Sequence, residues 1–275
     1  VGRAERVRQV AFTRLKIEGL PREDAQVSAI LADRDGNCWI AGEHGLFQVE
    51  KSKVDSAESL TAVKLDLNAT ALTEDRDGAV YVGTPAGEIW RLQAGQRVAE
   101  SNLWQAHPIT AMARASDGAF WVGTDGGGLR RFANGAGTHF SKANGLLSDS
   151  IRALHQDAEG VVWVGTASGG LARWANGRMV SFSTREGMPD DTVTQILEDD
   201  AGRLWLGTKR GIACVAKDEL AALADGKSAL VYPRTFGRDE GMQSEECTST
   251  PGLRTQSGVL WFATQKGIAV VNPRS

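Results

Sequence analysis

The feature that most constrains this chain is a unit of about forty residues that occurs six times. An aromatic residue marks each copy, and a glycine stands three residues before it in every case. The aromatic positions are Trp39, Tyr81, Trp121, Trp163, Trp205 and Trp261. The glycines are Gly36, Gly78, Gly118, Gly160, Gly202 and Gly258. Such regular spacing is typical of an array built from one repeated supersecondary unit.

Each unit has the pattern of four short β-strands. In the fourth copy, residues 151–182, apolar runs rich in Val, Trp and Phe are separated by Gly160, Gly169–Gly170 and Asn176–Gly177. Short apolar runs between glycine-containing turns indicate strands, and Asn-Gly favours a tight hairpin. Four antiparallel strands in a period near 42 residues predict an all-β protein, a β-propeller of four-stranded blades.

The two ends of the chain predict how the ring closes. Residues 11–20 resemble the end of a unit, whereas the last unit stops after its third strand near Ile268. We therefore expect one domain of six blades, with 11–18 as the missing fourth strand, because pairing there would cover an open sheet edge. The expected blades are 26–67, 68–106, 107–147, 148–189, 190–242 and 243–275 with 11–18. A seven-bladed ring, or part of a larger tandem propeller, is the alternative.

Composition narrows the possible partners. The net charge is −3 with basic and acidic residues interspersed, which argues against a nucleic-acid partner. No apolar run approaches the roughly 20 residues that a membrane span needs.

Three cysteines are too few for a disulfide framework, and we expect Cys38 and Cys214 to be small buried apolar residues. An insertion at 217–231 contains a stretch with helical propensity, which predicts one helical turn.

Several motifs resemble functional sites but have simpler explanations. The Asp-Arg-Asp-Gly runs at 33–36 and 75–78 resemble the start of a calcium loop. Other copies lose the acids and keep the glycine, so the pattern predicts a turn with positive φ. The recurring tryptophans are expected to pack neighbouring blades together. We expect His155 to be a satisfied core residue, and no spacing of His or Cys indicates a metal, a cofactor or a catalytic residue.

The pattern from Val27 to Leu46, echoed five times, resembles the two-component-regulator propeller repeat, although Gly42 stands where that repeat has Thr. The segment from Phe236 to the end is similar to the last repeat of that family, with Ala263 in place of a Gly. The resemblance implies the periplasmic sensor region of a membrane-anchored signalling protein with a histidine kinase or diguanylate cyclase output. The chain begins with Val1, and we expect it to be a piece of such a longer protein.

A propeller of this kind predicts where a ligand would bind. Loops from second to third strands, and loops from blade to blade, emerge on one face and are held by a rigid frame. Trp104 lies outside the repeat pattern, which makes it the tryptophan most suited to a ligand. The mixed charge of these loops suits a polar small molecule, a glycan or a protein partner. The candidate ligand-binding residues are His44, Trp104, His107, Asp125, Lys209, Arg210 and Glu245.

The sequence favours a binding module that is not itself an enzyme, and it leaves two alternatives open. One is a propeller enzyme resembling virginiamycin B lyase, in which His44, His107 and Glu245 would have to converge on the central channel. The other is a structural scaffold that docks a partner or forms a homodimer, for which a large exposed apolar patch would be evidence.

Overall fold

A computed structural model describes residues 17–18, 27–42, 44–50, 60–61, 63–93, 95–101 and 107–274 of the chain. Most of these residues form six antiparallel sheets, in which strands that are close in sequence lie side by side. The strands of the first blade are β2 (Val27–Ala32), β3 (Cys38–Gly42), β4 (Gly45–Val49) and β6 (Val63–Leu65). Those of the second are β7 (Ala71–Glu74), β8 (Val80–Gly83), β9 (Ile89–Gln93) and β10 (Gln96–Ser101).

The next three blades repeat this order. The third contains β11 (Ile109–Arg114), β12 (Phe120–Thr124), β13 (Leu129–Ala133) and β14 (Ala136–Phe140). The fourth contains β15 (Ile151–Gln156), β16 (Val162–Thr166), β17 (Leu171–Ala175) and β18 (Arg178–Phe182). The fifth contains β19 (Val193–Glu198), β20 (Arg203–Thr208), β21 (Gly211–Ala216) and β22 (Arg234–Phe236). The sixth contains β23 (Leu253–Arg254), β24 (Leu260–Thr264) and β25 (Gly267–Val271).

The six sheets surround a central channel, and the predicted six-bladed propeller is confirmed. The first strand of every blade, or the loop leading into it, lines this channel. The wall combines small residues with larger apolar ones such as Ile30, Leu72 and Met112. The lining residues include Ala29, Ala71, Ala111, Ala153, Gln195 and Gly252.

Of residues 11–18, which were predicted to close the ring, the structure describes only Ile17 and Glu18, and these two do not pair with β25. Strand β1 (Ile17–Glu18) pairs in parallel with β5 (Leu60–Thr61), which belongs to the segment before β6. The prediction for residues 11–16 lies outside the described residues. The likeness of residues 11–18 to the fourth strands of other blades did not identify the strand that pairs with β1. Main-chain hydrogen bonds carry no sequence information, so any available sheet edge can pair with a short strand.

Among the described residues, the sixth blade differs from blades three to five at its outer edge. In blades three to five a phenylalanine of the fourth strand faces the first apolar residue of the third strand, as in the pair Leu171 and Phe182. Those third-strand residues are at most 1% exposed. Ile268, which the repeat predicts as the equivalent apolar anchor, is 50% exposed, and β25 pairs only with β24 among the described strands.

Four of the recurring tryptophans, Trp39, Trp121, Trp163 and Trp205, are buried between blades as predicted, whereas Trp261 is half-buried. Trp121 is 1% exposed and lies in one cluster with Ile151 and Val164 of the next blade. Trp163 is equally buried and lies in one cluster with Val193 and Ile196 of the fifth blade. Burying one aromatic side chain at each junction contributes roughly 1.5–3 kcal/mol for a side chain of this size class. The ring is therefore held together mainly by apolar contact between neighbouring sheets.

The glycine before each aromatic residue has the positive φ that the turn was predicted to require, with values from 71° to 83°. The acid at the start of the turn has a role that the sequence did not indicate, because its carboxylate accepts a hydrogen bond from the indole N–H of the tryptophan six residues later. The pairs are Asp33 with Trp39 at 2.9 Å, Asp157 with Trp163 at 2.9 Å and Asp199 with Trp205 at 2.7 Å.

The insertion in the fifth blade forms helix α1 (Lys217–Ala224), which is longer than the single turn expected. Leu220 and Ala224 are buried in the same cluster as Trp163, so the helix covers the junction of blades four and five.

Cys214 is buried, as predicted, whereas Cys38 is half-buried. Burial raises the pKa of the Cys247 thiol to about 11, which keeps this side chain neutral and unreactive.

Candidate functional site

The candidate site is the mouth of the central channel on the face that carries the loops between second and third strands and between blades. We call this the upper face. Ser28, Thr70, Thr110 and Thr250, one from each of four blades, line the mouth together with Arg152, Thr248 and Ser249. Hydroxyl groups therefore surround the opening, and the repeat explains why they do.

The threonines occupy one position in the repeat, eleven residues before the aromatic residue. Each hydroxyl donates a hydrogen bond to a backbone oxygen at the beginning of the next blade, and in most cases the acceptor is the first residue of the innermost strand. These bonds join successive blades at the upper end of the channel. They run from Thr70 to Ile109 at 2.5 Å, Thr110 to Ile151 at 2.7 Å, Thr194 to Cys247 at 3.5 Å and Thr250 to Val27 at 3.3 Å.

Arg152 replaces the threonine in the fourth blade. Its guanidinium Nη2 lies 3.3 and 3.5 Å from the two carboxylate oxygens of Asp125, and 27% of its side chain is exposed. The residue lines the channel, its mouth and a neighbouring cleft on the upper face. Arg152 was not among the predicted site residues. The sequence nevertheless shows that the other five repeats have Ser or Thr at this position.

The neighbouring cleft lies between blades four, five and six and has a volume of about 350 Å³. Thr192 and Lys209 come from the fifth blade, while Glu246 and Gln265 come from the sixth. The Thr248 hydroxyl at its edge is buried and has no hydrogen-bond partner. The cleft thus offers two cationic side chains, one carboxylate and several uncharged polar groups to a ligand.

The structure brings three of the predicted candidates close to Arg152. Asp125 contacts it directly, and His107 packs against the turn that carries Asp125, since a Cβ placed on Gly127 would lie 2.7 Å from the imidazole. Lys209 lines the same cleft as Arg152. Arg210 is exposed in the turn next to Lys209 and does not line the cleft. Trp104 lies outside the described residues.

Glu245 has a structural role in its loop. Its carboxylate accepts a hydrogen bond from the backbone N–H of Arg238, seven residues earlier, at 3.2 Å. The equivalent acids of the preceding loops do the same, with Asp149 accepting from Lys142 and Asp191 from Thr184. These acids brace the one-turn 3-10 helices that precede each blade junction: Lys142–Asn144, Thr184–Glu186 and Arg238–Glu240. A contact of Glu245 with a ligand stays a prediction.

His44 lies half-buried in the turn between β3 and β4. It belongs to the first blade, His107 to the third and Glu245 to the loop before the sixth, and none of the three lines the channel or its mouth as described. In the part of the chain that the structure describes, no three His, Cys, Asp or Glu side chains are grouped as metal ligands. The convergence required by the enzymatic alternative is not present in that part.

The opposite face carries the most concentrated ion-pair cluster of the described residues. Lys217 Nζ lies 2.5 Å from Glu159, 2.6 Å from Glu198 and 3.5 Å from Asp157. Burial lowers the pKa of Lys217, but hydrogen bonds to Glu159 and Glu198 outweigh it and the net pKa is raised. His155, which was predicted to be in the core, instead lines the channel and contacts Glu198 at 3.0 Å. This network fixes α1 to blades four and five.

Two segments of the chain match a known family model. The fold is a six-bladed β-propeller whose upper face carries a polar cleft. Residues 145–168 and 187–210 match the family model described as two component regulator propeller. Two of the six repeats therefore match this family model, in agreement with the resemblance seen in the sequence. No curated protein sequence matches the chain.

Solved structures share the fold at low sequence identity. The extracellular domain of a hybrid two-component system from B. thetaiotaomicron is 19% identical with a TM-score of 0.63, and the match covers 92% of this chain and 39% of that one. The extracellular domain of a one-component system from the same organism is 17% identical with a TM-score of 0.54, covering 90% and 38%. Virginiamycin B lyase from Staphylococcus aureus is 15% identical with a TM-score of 0.69, covering 91% and 81%.

The chain spans about two fifths of the length of the two-component and one-component extracellular domains that it matches. Among the described residues, no helix is both long and apolar enough to span a membrane.

Proposed function

We propose that this propeller is the ligand- or partner-binding region of an extracytoplasmic sensor in a bacterial signalling protein. The observation that carries the proposal is the match of two repeats to the two-component-regulator propeller family, together with the fold shared with extracellular domains of such systems. A membrane-anchored parent with a histidine kinase or diguanylate cyclase output belongs to the same proposal.

The upper face supports a recognition role in physical terms. It presents a concave cleft lined by charged and hydroxyl-bearing side chains, and internal hydrogen bonds brace the inter-blade loops on this face. Rigid polar loops above a packed frame bind polar solutes with little ordering cost. A ligand would change the output only by binding two arrangements of the parent protein with different affinity.

The first test is a thermal-shift screen of the purified propeller against peptides, neutral oligosaccharides and organic acids, with hits measured by isothermal titration calorimetry. Ser249→Trp should abolish binding, because this exposed residue lines both the mouth and the cleft. Thr138→Trp, on an exposed outer strand away from the upper face, is the matched control.

The second test uses the full-length parent protein. A compound that binds the propeller should change the output activity, and it should fail to do so in the Ser249→Trp parent. A reporter fused to the propeller end should also be active only outside the cytoplasm. Binding that leaves the output unchanged, or a propeller located in the cytoplasm, would refute the sensory role.

A further inference from the structure

The ring of hydroxyls at the channel mouth is interrupted by one cationic residue. At the position eleven residues before the aromatic residue, five blades have Ser or Thr and the fourth has Arg152. Thr70, Thr110, Thr194 and Thr250 use this position for a hydrogen bond to the next blade. The fourth blade gives up that bond and places a guanidinium at the mouth of the channel.

Arg152 dominates the charge of the mouth. Every other described residue that lines the mouth is an uncharged Val, Ser or Thr. The long side chain also borders the adjoining cleft, where Lys209 adds a second cation and Glu246 contributes one carboxylate. The side chains that line the mouth and the cleft thus include two cations and one carboxylate, and Asp125 contacts Arg152 from outside this lining.

The protein itself neutralises this guanidinium only loosely. Asp125 is contacted through Nη2 alone, at 3.3 and 3.5 Å, and its side chain is 41% exposed. By contrast, Arg114 binds Asp75 through both Nε and Nη2 at 2.8 and 2.7 Å. A guanidinium has five N–H donors arranged to bind an oxyanion in two places at once, so Arg152 retains donors for another anion.

A further donor lies close to the same opening. The Thr248 hydroxyl lines both the mouth and the cleft, is buried, and forms no hydrogen bond in the structure. Buried hydroxyls are nearly always paired, so an unpaired one at the edge of a cavity is suited to a ligand atom. Thr248 and Arg152 come from different blades and face one shared cavity.

We propose that the mouth of the channel binds the oxyanion group of a small molecule, a carboxylate or a phosphate, with Arg152 as the main anchor. The Thr248 hydroxyl donates to the same group, and Lys209 attracts it electrostatically from the cleft. The proposal deepens the proposed function and rests on it, because it assigns a chemical class of ligand to the upper face.

The test measures binding of succinate and of inorganic phosphate by isothermal titration calorimetry, with sodium chloride holding the ionic strength constant. The two probes distinguish a carboxylate site from a phosphate site. We expect the unmodified propeller to bind at least one of them, and Arg152→Thr to bind it at least about tenfold more weakly, as expected for losing a charge-assisted hydrogen bond.

Arg152→Thr restores the residue that the other blades have, so the variant should fold, and its circular dichroism and urea unfolding verify this. Arg152→Lys keeps the charge but loses the planar guanidinium that can bind an oxyanion through two N–H groups, so it should give an intermediate affinity. Arg185→Thr removes an exposed arginine that does not line the mouth and is the matched control. It should bind like the unmodified protein.

The proposal is overturned if neither anion binds, or if Arg152→Thr binds as tightly as the unmodified propeller. These results would leave the sensory proposal intact, because the screen described above includes neutral oligosaccharides and peptides. If Arg185→Thr also loses binding, the effect comes from the total charge of the protein. That result would equally refute a site at Arg152.

Discussion

Thr250 of the sixth blade donates a hydrogen bond to the backbone oxygen of Val27 in the first blade at 3.3 Å, across 223 positions of sequence. The bond repeats the link that Thr70 and Thr110 make between blades that are adjacent in the chain. The junction between the two ends of the repeat array is thus built like the internal ones. This relationship leads to the first prediction.

Thr250→Val and Thr110→Val should each lower the free energy of unfolding by about 0.5–1.5 kcal/mol, the usual net contribution of one hydrogen bond. Thr110→Val should have the larger effect, because its bond to Ile151 is shorter at 2.7 Å. Urea unfolding measures both. Thr138→Val, on an exposed strand, is the control and should stay within about 0.5 kcal/mol of the unmodified protein. Equal losses in all three variants would contradict a role in joining blades.

The bond between Asp157 and the Trp163 indole predicts an asymmetry between two substitutions. Asp157→Ala leaves the buried indole N–H without an acceptor and should cost about 1–3 kcal/mol, whereas Asp157→Asn keeps an acceptor oxygen and should cost less. Urea unfolding followed by tryptophan fluorescence measures both variants. The exposed Asp239→Ala should leave stability unchanged. The prediction fails if Asp157→Asn is as damaging as Asp157→Ala.

Two glycines separate backbone strain from steric clash. Gly177 has φ 77° and open space where a Cβ would lie, so Gly177→Ala should cost about 1–2 kcal/mol from the left-handed conformation alone. Gly170 has φ 69°, and its Cβ would lie 2.1 Å from the backbone oxygen of Phe182, so Gly170→Ala should cost clearly more. Thermal unfolding of the two variants measures the difference. Equal losses would show that the sheet relaxes around the added methyl group.

The carboxylate of Asp199 predicts a dependence of stability on pH. Burial raises its pKa, but hydrogen bonds from Trp205 and Arg203 outweigh it, and the net pKa lies below the ordinary value of 3.8. Its stabilising contribution is therefore complete above pH 3.8 and is lost as the pH falls through the lower folded-state pKa.

Asp199→Asn should consequently be less stable than the unmodified protein near neutral pH, and the gap should narrow as the pH falls below about 3.8. Urea unfolding across this pH range measures the gap. The exposed Asp239→Asn should follow the unmodified protein throughout. A gap that stays constant down to about pH 2 would contradict the assignment.

The repeat allowed most of the local structure to be predicted from sequence. The turn glycines, the strands on either side of them and the buried tryptophans depend on residues close together in the chain, and the structure confirms them. The acids at 33, 157 and 199 were correctly placed in turns, yet their bonds to Trp39, Trp163 and Trp205 were missed, since the same acids are absent from other turns of equal geometry.

The candidate site was predicted less completely. The upper face followed from topology alone, and Asp125 and Lys209 do lie beside one opening. Glu245 was predicted from its place in an inter-blade loop, and its carboxylate braces that loop. Arg152 was overlooked because its significance depends on a hydrogen bond that the threonines of other blades donate to the next blade. This bond is visible only when the neighbouring blades are in place.

The sequence by itself determined that this protein is a ring of six repeated sheets, because strand and turn formation in each copy depends on interactions within about forty residues. The tertiary structure decided which edges pair at the ends of the chain and which side chains meet at the channel mouth. Main-chain edges are chemically alike, and the groups that surround Arg152 come from blades far apart in sequence. Only the closed ring brings them together.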